Sequence, residues 1–433
     1  ENTVTLHFKL SNPSAYGIKA PVSPTYGNLS SDTLKKNCSR SKELLQKLYT
    51  FPTSSLTKKQ KLTWQIFQDY LNESIMNEKY ILYSSPLGTN GLQSEIPVTL
   101  SEYRLDNEKD IKDYLSLVNQ VPELFTQILD FEQERRNAGI ISPSFVISDT
   151  IEQIDQFLNA SEENNLLIQS FEERLANVKS LSKDQKASYI ANNRLLVTDK
   201  VFPAYKSLKT SLQSYTNELK NTSSKERLCE YKNGRDYYKF LLMSNVGTDF
   251  SPEDCITILE SQLKNTVKDI SSLTAKNKDL YTEYLSAAPA LSAPKEIMNT
   301  LKNDSLIDFP EIKNISCQLK NVPDALSGTS ACAFYLVPPI DSTKDNIIYI
   351  NKSRVDLTTN PSPLRTFLHC AGYDEGWGTY AQLYSYNFIE FKNVDEQTTK
   401  QLRQLYRDND LLSLSLSSLS DLYVNYKNYD ENA

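Results

Sequence analysis

The stretch DNEKDIKDYLSLVNQVPELFTQILDFEQERR, residues 106–136, decides the fold class. Ile111, Tyr114, Leu115, Val118, Leu124, Phe125, Ile128 and Leu129 keep a helical period, so one side is apolar and the charges lie on the other. A run this long implies a helix packed inside a helical body. Pro122 has no backbone N–H and is expected to kink or break it, and ERRNAGI places its end at Gly139.

The same pattern extends both ways. Ser31 and Asp32 can cap a helix running to about Tyr49, and Leu62, Ile66 and Tyr70 share one side of the next. Residues 150–178 and 183–220 are amphipathic, with Pro203 expected to bend the second stretch. SPED, residues 251–254, supplies a serine cap, a first-turn proline and two acids ahead of a helix through about Leu273. Another helix begins near Asp395, and LSLSLSSLS, residues 412–420, reads as its small-residue face.

Strand signals are few. VTLHFKL, residues 4–10, alternates and reads as a strand, while ACAFYLVPPI (331–340) and IIYIN (347–351) flank a DSTKDN turn and read as a hairpin. The expected fold is mainly α, a multi-layer helical body with a small β hairpin or sheet element. It is read as a single domain over 1–433, with an N-terminal helical part to about 225 and a C-terminal part from about 226.

Composition narrows the function classes. The net charge of −7 comes from 54 acids and 47 bases without long single-sign blocks, which argues against a nucleic-acid or anionic-membrane surface. No apolar run approaches the ~20 residues of a bilayer span, so no transmembrane segment is expected. Six cysteines without a Cys-x-x-Cys pair give neither a zinc knuckle nor a thioredoxin-type motif. The 26 tyrosines and 16 phenylalanines supply bulk for a packed interior.

The chemistry concentrates in AGYDEGWGTYAQLYSY, residues 371–386. Glu375 sits among Gly372, Gly376 and Gly378 and among Tyr373, Trp377 and Tyr380, an acid at a tightly packed helix start expected to lie deep inside. It reads either as an N-terminal acid favoured by the helix dipole or as a ligand. Trp377 and Tyr380 read as core aromatics or as functional groups, and Tyr380, five positions on, does not share Glu375's side squarely. Arg365 can take a substrate carboxylate bidentately or sit in a surface ion pair, and Arg135 and Arg136 carry the same two readings.

A gluzincin-type zinc hydrolase needs two histidines one turn apart, a glutamate beside the first, and a further glutamate from a later helix. Glu375 suits only the last role. The chain holds two histidines, His7 and His369, neither followed by glutamate, so no His-Glu-x-x-His pair can be built. His369 among Phe367, Leu368 and Cys370 reads as a packing residue. His369 and Cys370 do not form a nucleophile pair, because helix neighbours point about 100° apart.

VTLHFKLSNPSAYGI, ERRNAGI, VFPAYKSL, GRDYYKFLL with VGTDFSPED, AFYLVPPIDSTKDNIIYIN and NPSPLRTFLHCAGYDEGWGTYAQLYSY occur in this order. In that order they resemble the bacterial domain of unknown function 885 family, which is similar to zinc carboxypeptidases and other mainly helical metallopeptidases. The resemblance implies a zinc-dependent peptide hydrolase, with Glu375 completing the metal site and Tyr380 or Tyr386 donating to the oxyanion of a tetrahedral intermediate. It implies a peptide as substrate or ligand.

The departures from the family are as informative. The His-Glu-x-x-Pro-Gly-His segment, placed by the resemblance between the hairpin and the Pro-Leu-Arg stretch, is missing near Ser353 and Arg354, and Gln382 stands where the family more often has an acid. Deletion, a segment not carried in this sequence, and divergence from catalysis all stay open. As it stands the chain is expected to hold no zinc and to be inactive; the alternative is a non-catalytic peptide-binding or cell-surface scaffold protein. Its start at ENTVTL suggests removal of a leader and an extracytoplasmic location, secreted or as a lipoprotein, and its end at Ala433 looks early for the family.

Overall fold

Hydroxyl, carboxamide and carboxylate side chains set many of the helix starts. In the computed structural model, which describes residues 3–19, 22–160, 165–219, 227–291, 294–309, 317–321, 333–336, 339–341, 346–350 and 371–430, reciprocal capping boxes pair Thr57 with Gln60, Asn107 with Asp110, Ser182 with Gln185 and Ser251 with Asp254. Each satisfies backbone N–H groups that a first turn leaves without partners. One cap differs from the sequence reading: Ser30, not Ser31, accepts the Thr33 N–H, at 3.3 Å.

The chain is mainly α with a small β element and divides into two units. The first carries α1 (Thr3–Lys9), α2 (Ser31–Tyr49), α3 (Lys58–Met76), α4 (Leu92–Glu102), α5 (Glu108–Asn137), α6 (Ser144–Asn159), α7 (Leu166–Ala176), α8 (Lys183–Leu196) and α9 (Phe202–Leu219). Helix α5 is its axis. Ile111, Leu117, Val118, Val121 and Ile128 are fully buried on it and pack with Phe171, Val197, Tyr205 and Leu208.

Proline acts differently at the two positions where a kink or bend is expected, Pro122 and Pro203. Helix α5 runs through Pro122 without a break, because the buried apolar side on either flank holds the turn that lacks one hydrogen bond. Ahead of Pro203 the chain widens instead into a π-turn, Val197–Val201, which accommodates the ring against the preceding carbonyls. At the end of α5, Gly139 takes φ +75° and the Ile140 N–H reaches back to the Arg135 carbonyl at 2.9 Å, as the sequence predicted.

The expected first strand is a helix. Val4 and Phe8 are one turn apart as well as in alternation, and in α1 Val4 is buried in the core with Phe8 packed against it. His7 stacks on Tyr103 with ring centroids 3.7 Å apart, and its Nε2 accepts the Arg104 N–H at 3.2 Å. The two strands of the predicted hairpin are present, and most of its DSTKDN turn lies outside the described residues. Strands β1 (Cys317–Asn321), β2 (Ala333–Leu336) and β3 (Asn346–Ile350) form a sheet in the order β1-β3-β2, with β2 and β3 antiparallel from Ala333↔Ile350 to Leu336↔Ile347.

The second unit carries α10 (Gly234–Leu241), α11 (Pro252–Lys276), α12 (Leu280–Ser286), α13 (Pro294–Ser305), α14 (Ala371–Ser385) and α15 (Glu396–Leu422). Its core has two parts, one around Tyr238, Ile256, Leu419, Leu422 and Tyr426, the other around Leu280, Phe391, Leu402 and Leu405. The serine-leucine run lies within α15, where Ser415 is fully buried and bonds its own helix at Leu411 O, 2.7 Å. Among the described residues no helix is long and apolar enough to cross a membrane.

Candidate functional site on the aromatic helix

Helix α14 holds Glu375, Trp377, Tyr380 and Gln382, and a short 3-10 turn, Tyr386–Phe388, follows it. At about 100° per residue, Trp377, Tyr380 and Tyr384 fall within about 60° of one another, while Glu375 and Gln382 lie on the opposite side. One helix therefore presents two chemistries.

The aromatic side is partly exposed. Trp377 is 46% exposed and Tyr380 50%, and their rings meet edge to face at 5.6 Å and 85°. Tyr384 stacks on Tyr380 at 6.1 Å, and Phe309, which follows α13, sets its ring edgewise to Tyr384 at 5.4 Å. The Tyr384 hydroxyl donates to Asp308; that bond to a carboxylate pushes the phenol up to about 12 and keeps it protonated. Glu375 and Gly376 are exposed as well, so the expectation of a segment deep inside is corrected: glycine at these positions leaves the helix surface bare.

On the other side, Gln382 Nε2 and the Tyr386 hydroxyl both donate to Asp410 Oδ2 of α15, at 2.7 and 2.5 Å. The Tyr386 ring stacks on Tyr406 at 6.2 Å, and Tyr406 packs on Tyr284 at 4.4 Å. Glutamine suits this place physically, since an acid there would face the Asp410 carboxylate. The Tyr386 hydroxyl thus donates its hydrogen bond to Asp410, and Tyr380 stands on the far side of the helix from Glu375.

Among the described residues no group of three or more His, Cys, Asp or Glu side chains is placed to hold a metal. Gln382, which holds Asp410, lies seven residues beyond Glu375, about 10 Å along the helix axis. Arg365, His369, Cys370 and the Ser353–Arg354 junction lie outside the described residues.

The arginines of ERRNAGI resolve differently. Arg135 is buried: its Nε donates to Leu82 O at 2.8 Å, and one terminal nitrogen donates to Glu132 Oε2 at 2.6 Å and Ser142 Oγ at 3.1 Å. Ser85 donates to the other Glu132 oxygen at 2.6 Å. Arg135 thus ties two loops to α5. The Arg136 guanidinium lies 3.9 Å from the centre of the Tyr215 ring and, with Glu132 and Leu212, lines a small cavity. Sequence reading missed Asp308, Phe309 and Asp410, which come from elements remote in the chain.

Residues 14–359 match the family described as bacterial protein of unknown function, DUF885. The chain belongs to that family. The matched residues end ahead of α14, so the aromatic helix lies beyond them. A solved structure from Colwellia psychrerythraea, described as a candidate lipoprotein, superposes with a TM-score of 0.78 at 16% identity, over 94% of this chain and 77% of that one. This likeness is one of fold. A second, a candidate lipoprotein of unknown function from Shewanella oneidensis, reaches a TM-score of 0.46 at 13% identity, over 90% and 72%, and adds nothing to the fold assignment. No curated protein matches the chain.

Proposed function

We propose that this chain is a metallopeptidase-like protein that binds peptides through α14 and, with the sequence it has, does not hydrolyse them by zinc chemistry. The observation that carries the reading is the half-exposed, mutually perpendicular pair Trp377 and Tyr380, with Phe309 beside Tyr384. Clustered exposed aromatics mark interaction surfaces, because a flat ring buries much area at little entropic cost. The two histidines cannot supply a zinc-binding pair, which leaves Glu375 without the partners a zinc hydrolase needs.

An extracytoplasmic location, secreted or lipid-anchored, belongs to the same proposal. It is supported by the description of the Colwellia protein as a candidate lipoprotein. The test uses protein whose intact mass matches the sequence. Elemental analysis is expected to find no bound zinc, peptides are expected to remain uncleaved with or without added zinc, and titration calorimetry is expected to show peptide binding that Trp377→Ala weakens. About one zinc per chain, or cleavage that a chelator abolishes, overturns the proposal.

A further inference from the structure

The near-balance of charge along the whole chain hides a local bias. Residues 44–68 hold four lysines, Lys47, Lys58, Lys59 and Lys61, and no aspartate or glutamate, in a chain whose acids outnumber its bases. This stretch runs through the end of the helical hairpin that α2 and α3 form in the first unit. Trp64 fixes the register there: its indole N–H donates to Leu48 O at 3.0 Å, and its ring lies 6.0 Å from that of Tyr49, whose hydroxyl accepts from Gln68 at 3.1 Å. The last turn of α2 is thereby pinned to α3, and residues 50–63 make up the hairpin's end. All of them but Leu56 are exposed, and the first buried side chain of α3 is Leu71.

The four lysines have no ion pair among the described residues, whereas Arg40 and Lys42, farther back on α2, pair with Glu43 and Glu78 at 2.6 Å. They do not serve the helix either. Lys58 and Lys59 occupy a first turn without an acid, where cations oppose the helix dipole. Among these charges stand Tyr49, Phe51 and Leu62, which are 52%, 57% and 44% exposed. We infer that the α2–α3 tip docks on an anionic lipid surface, its ammonium groups on the headgroup phosphates and Phe51 and Leu62 entering the boundary of the acyl layer. Such a boundary takes both halves of the tip, the charge by attraction and the apolar side chains by burial. A soluble polyanion would meet the charges and leave Phe51 and Leu62 in water. The tip is preformed, with Thr57 and Gln60 capping α3 reciprocally, so docking orders little new chain. The inference stands apart from peptide binding by α14, and its failure leaves that reading untouched.

The experiment sediments the full chain at low salt with vesicles of equimolar phosphatidylglycerol and phosphatidylcholine, and with vesicles of phosphatidylcholine alone. Binding to the anionic vesicles is expected to be at least about tenfold stronger and to fall with added salt. A lysine near an anionic surface contributes roughly fivefold, so Lys58→Gln, Lys59→Gln and Lys61→Gln together are expected to weaken binding about a hundredfold. That variant is expected to keep or raise the urea midpoint, because it removes cations from a helix start, so the loss is not one of folding. Phe51→Ser is expected to weaken binding about fivefold. Equal binding to the two kinds of vesicle, binding to neither, or binding unchanged in the triple variant or in Phe51→Ser overturns the inference. Capture by a DNA duplex or polyglutamate without vesicle binding assigns the lysines to a soluble polyanion and overturns it as well.

Discussion

Arg135→Ala should be among the most damaging single changes available in the first unit. The side chains of Arg135 and Glu132 are 4% and 8% exposed, and the guanidinium donates to Glu132, Leu82 O and Ser142. Truncation leaves the Glu132 carboxylate buried with Ser85 as its remaining named donor and removes the donor to Leu82 O. Leaving a buried charge without its partner costs about 3–5 kcal/mol, far above the ~1 kcal/mol of an exposed ion pair. The chain has two tryptophans, of which Trp64 lies in α3 of the first unit, so a Trp377→Phe background lets Trp64 fluorescence follow urea unfolding of the unit that holds the pair. Replacing both partners, Glu132→Leu with Arg135→Met, should recover about 2 kcal/mol relative to Arg135→Ala, because no charge is then stranded. A loss below about 1 kcal/mol in the single variant, or a double variant at least as unstable as the single one, would refute the reasoning.

Glu102 accepts from Tyr349, and burial raises its carboxyl above the ordinary range despite lowering by that bond, Lys320 and Arg174. A raised folded-state value contributes stability that is fully present below the unfolded pKa and lost as pH rises through the folded one, so Glu102→Gln should raise the urea midpoint at pH 7 and lose that advantage on acidification below the usual carboxylate range; an advantage that persists in acid would sink this account. Gly234→Ala should destabilise the second unit by more than about 2 kcal/mol, read by Trp377 fluorescence in a Trp64→Phe background, because overpacking against fixed backbone forces the chain to move. A Cβ there would stand 1.7 Å from the Leu228 carbonyl oxygen, and a wild-type midpoint would show that the loop yields without cost.

Local chemistry was legible in the sequence where one segment contained the whole cause. The Ser251 cap, the end of α5 at Gly139 and the β2–β3 hairpin each follow from residues within a few positions of one another. VTLHFKL failed because alternation and a one-turn spacing coincide over so short a run, and packing of Val4 into the core selected the helix. The partners that define α14 were invisible for another reason: Asp410 lies 28 residues beyond Gln382, and Asp308 lies 76 before Tyr384, so no spacing announces them.

The glycines around Glu375 read in the sequence as room for close packing, but Glu375 and Gly376 are exposed and a Cβ at Gly376 would meet nothing within 4 Å. Glu375 and Gln382 lie on one side and Trp377, Tyr380 and Tyr384 on the other, a division fixed by the helical period once residues 371–385 form one α-helix. A peptide held against Trp377 and Tyr380 therefore does not lie over the Glu375 carboxylate. For aromatic capture and carboxylate-centred chemistry to act on one ligand, that ligand would have to wrap round the helix, whereas simple docking needs only the aromatic side. The arrangement of these residues on one helix is what supports the proposal of peptide docking.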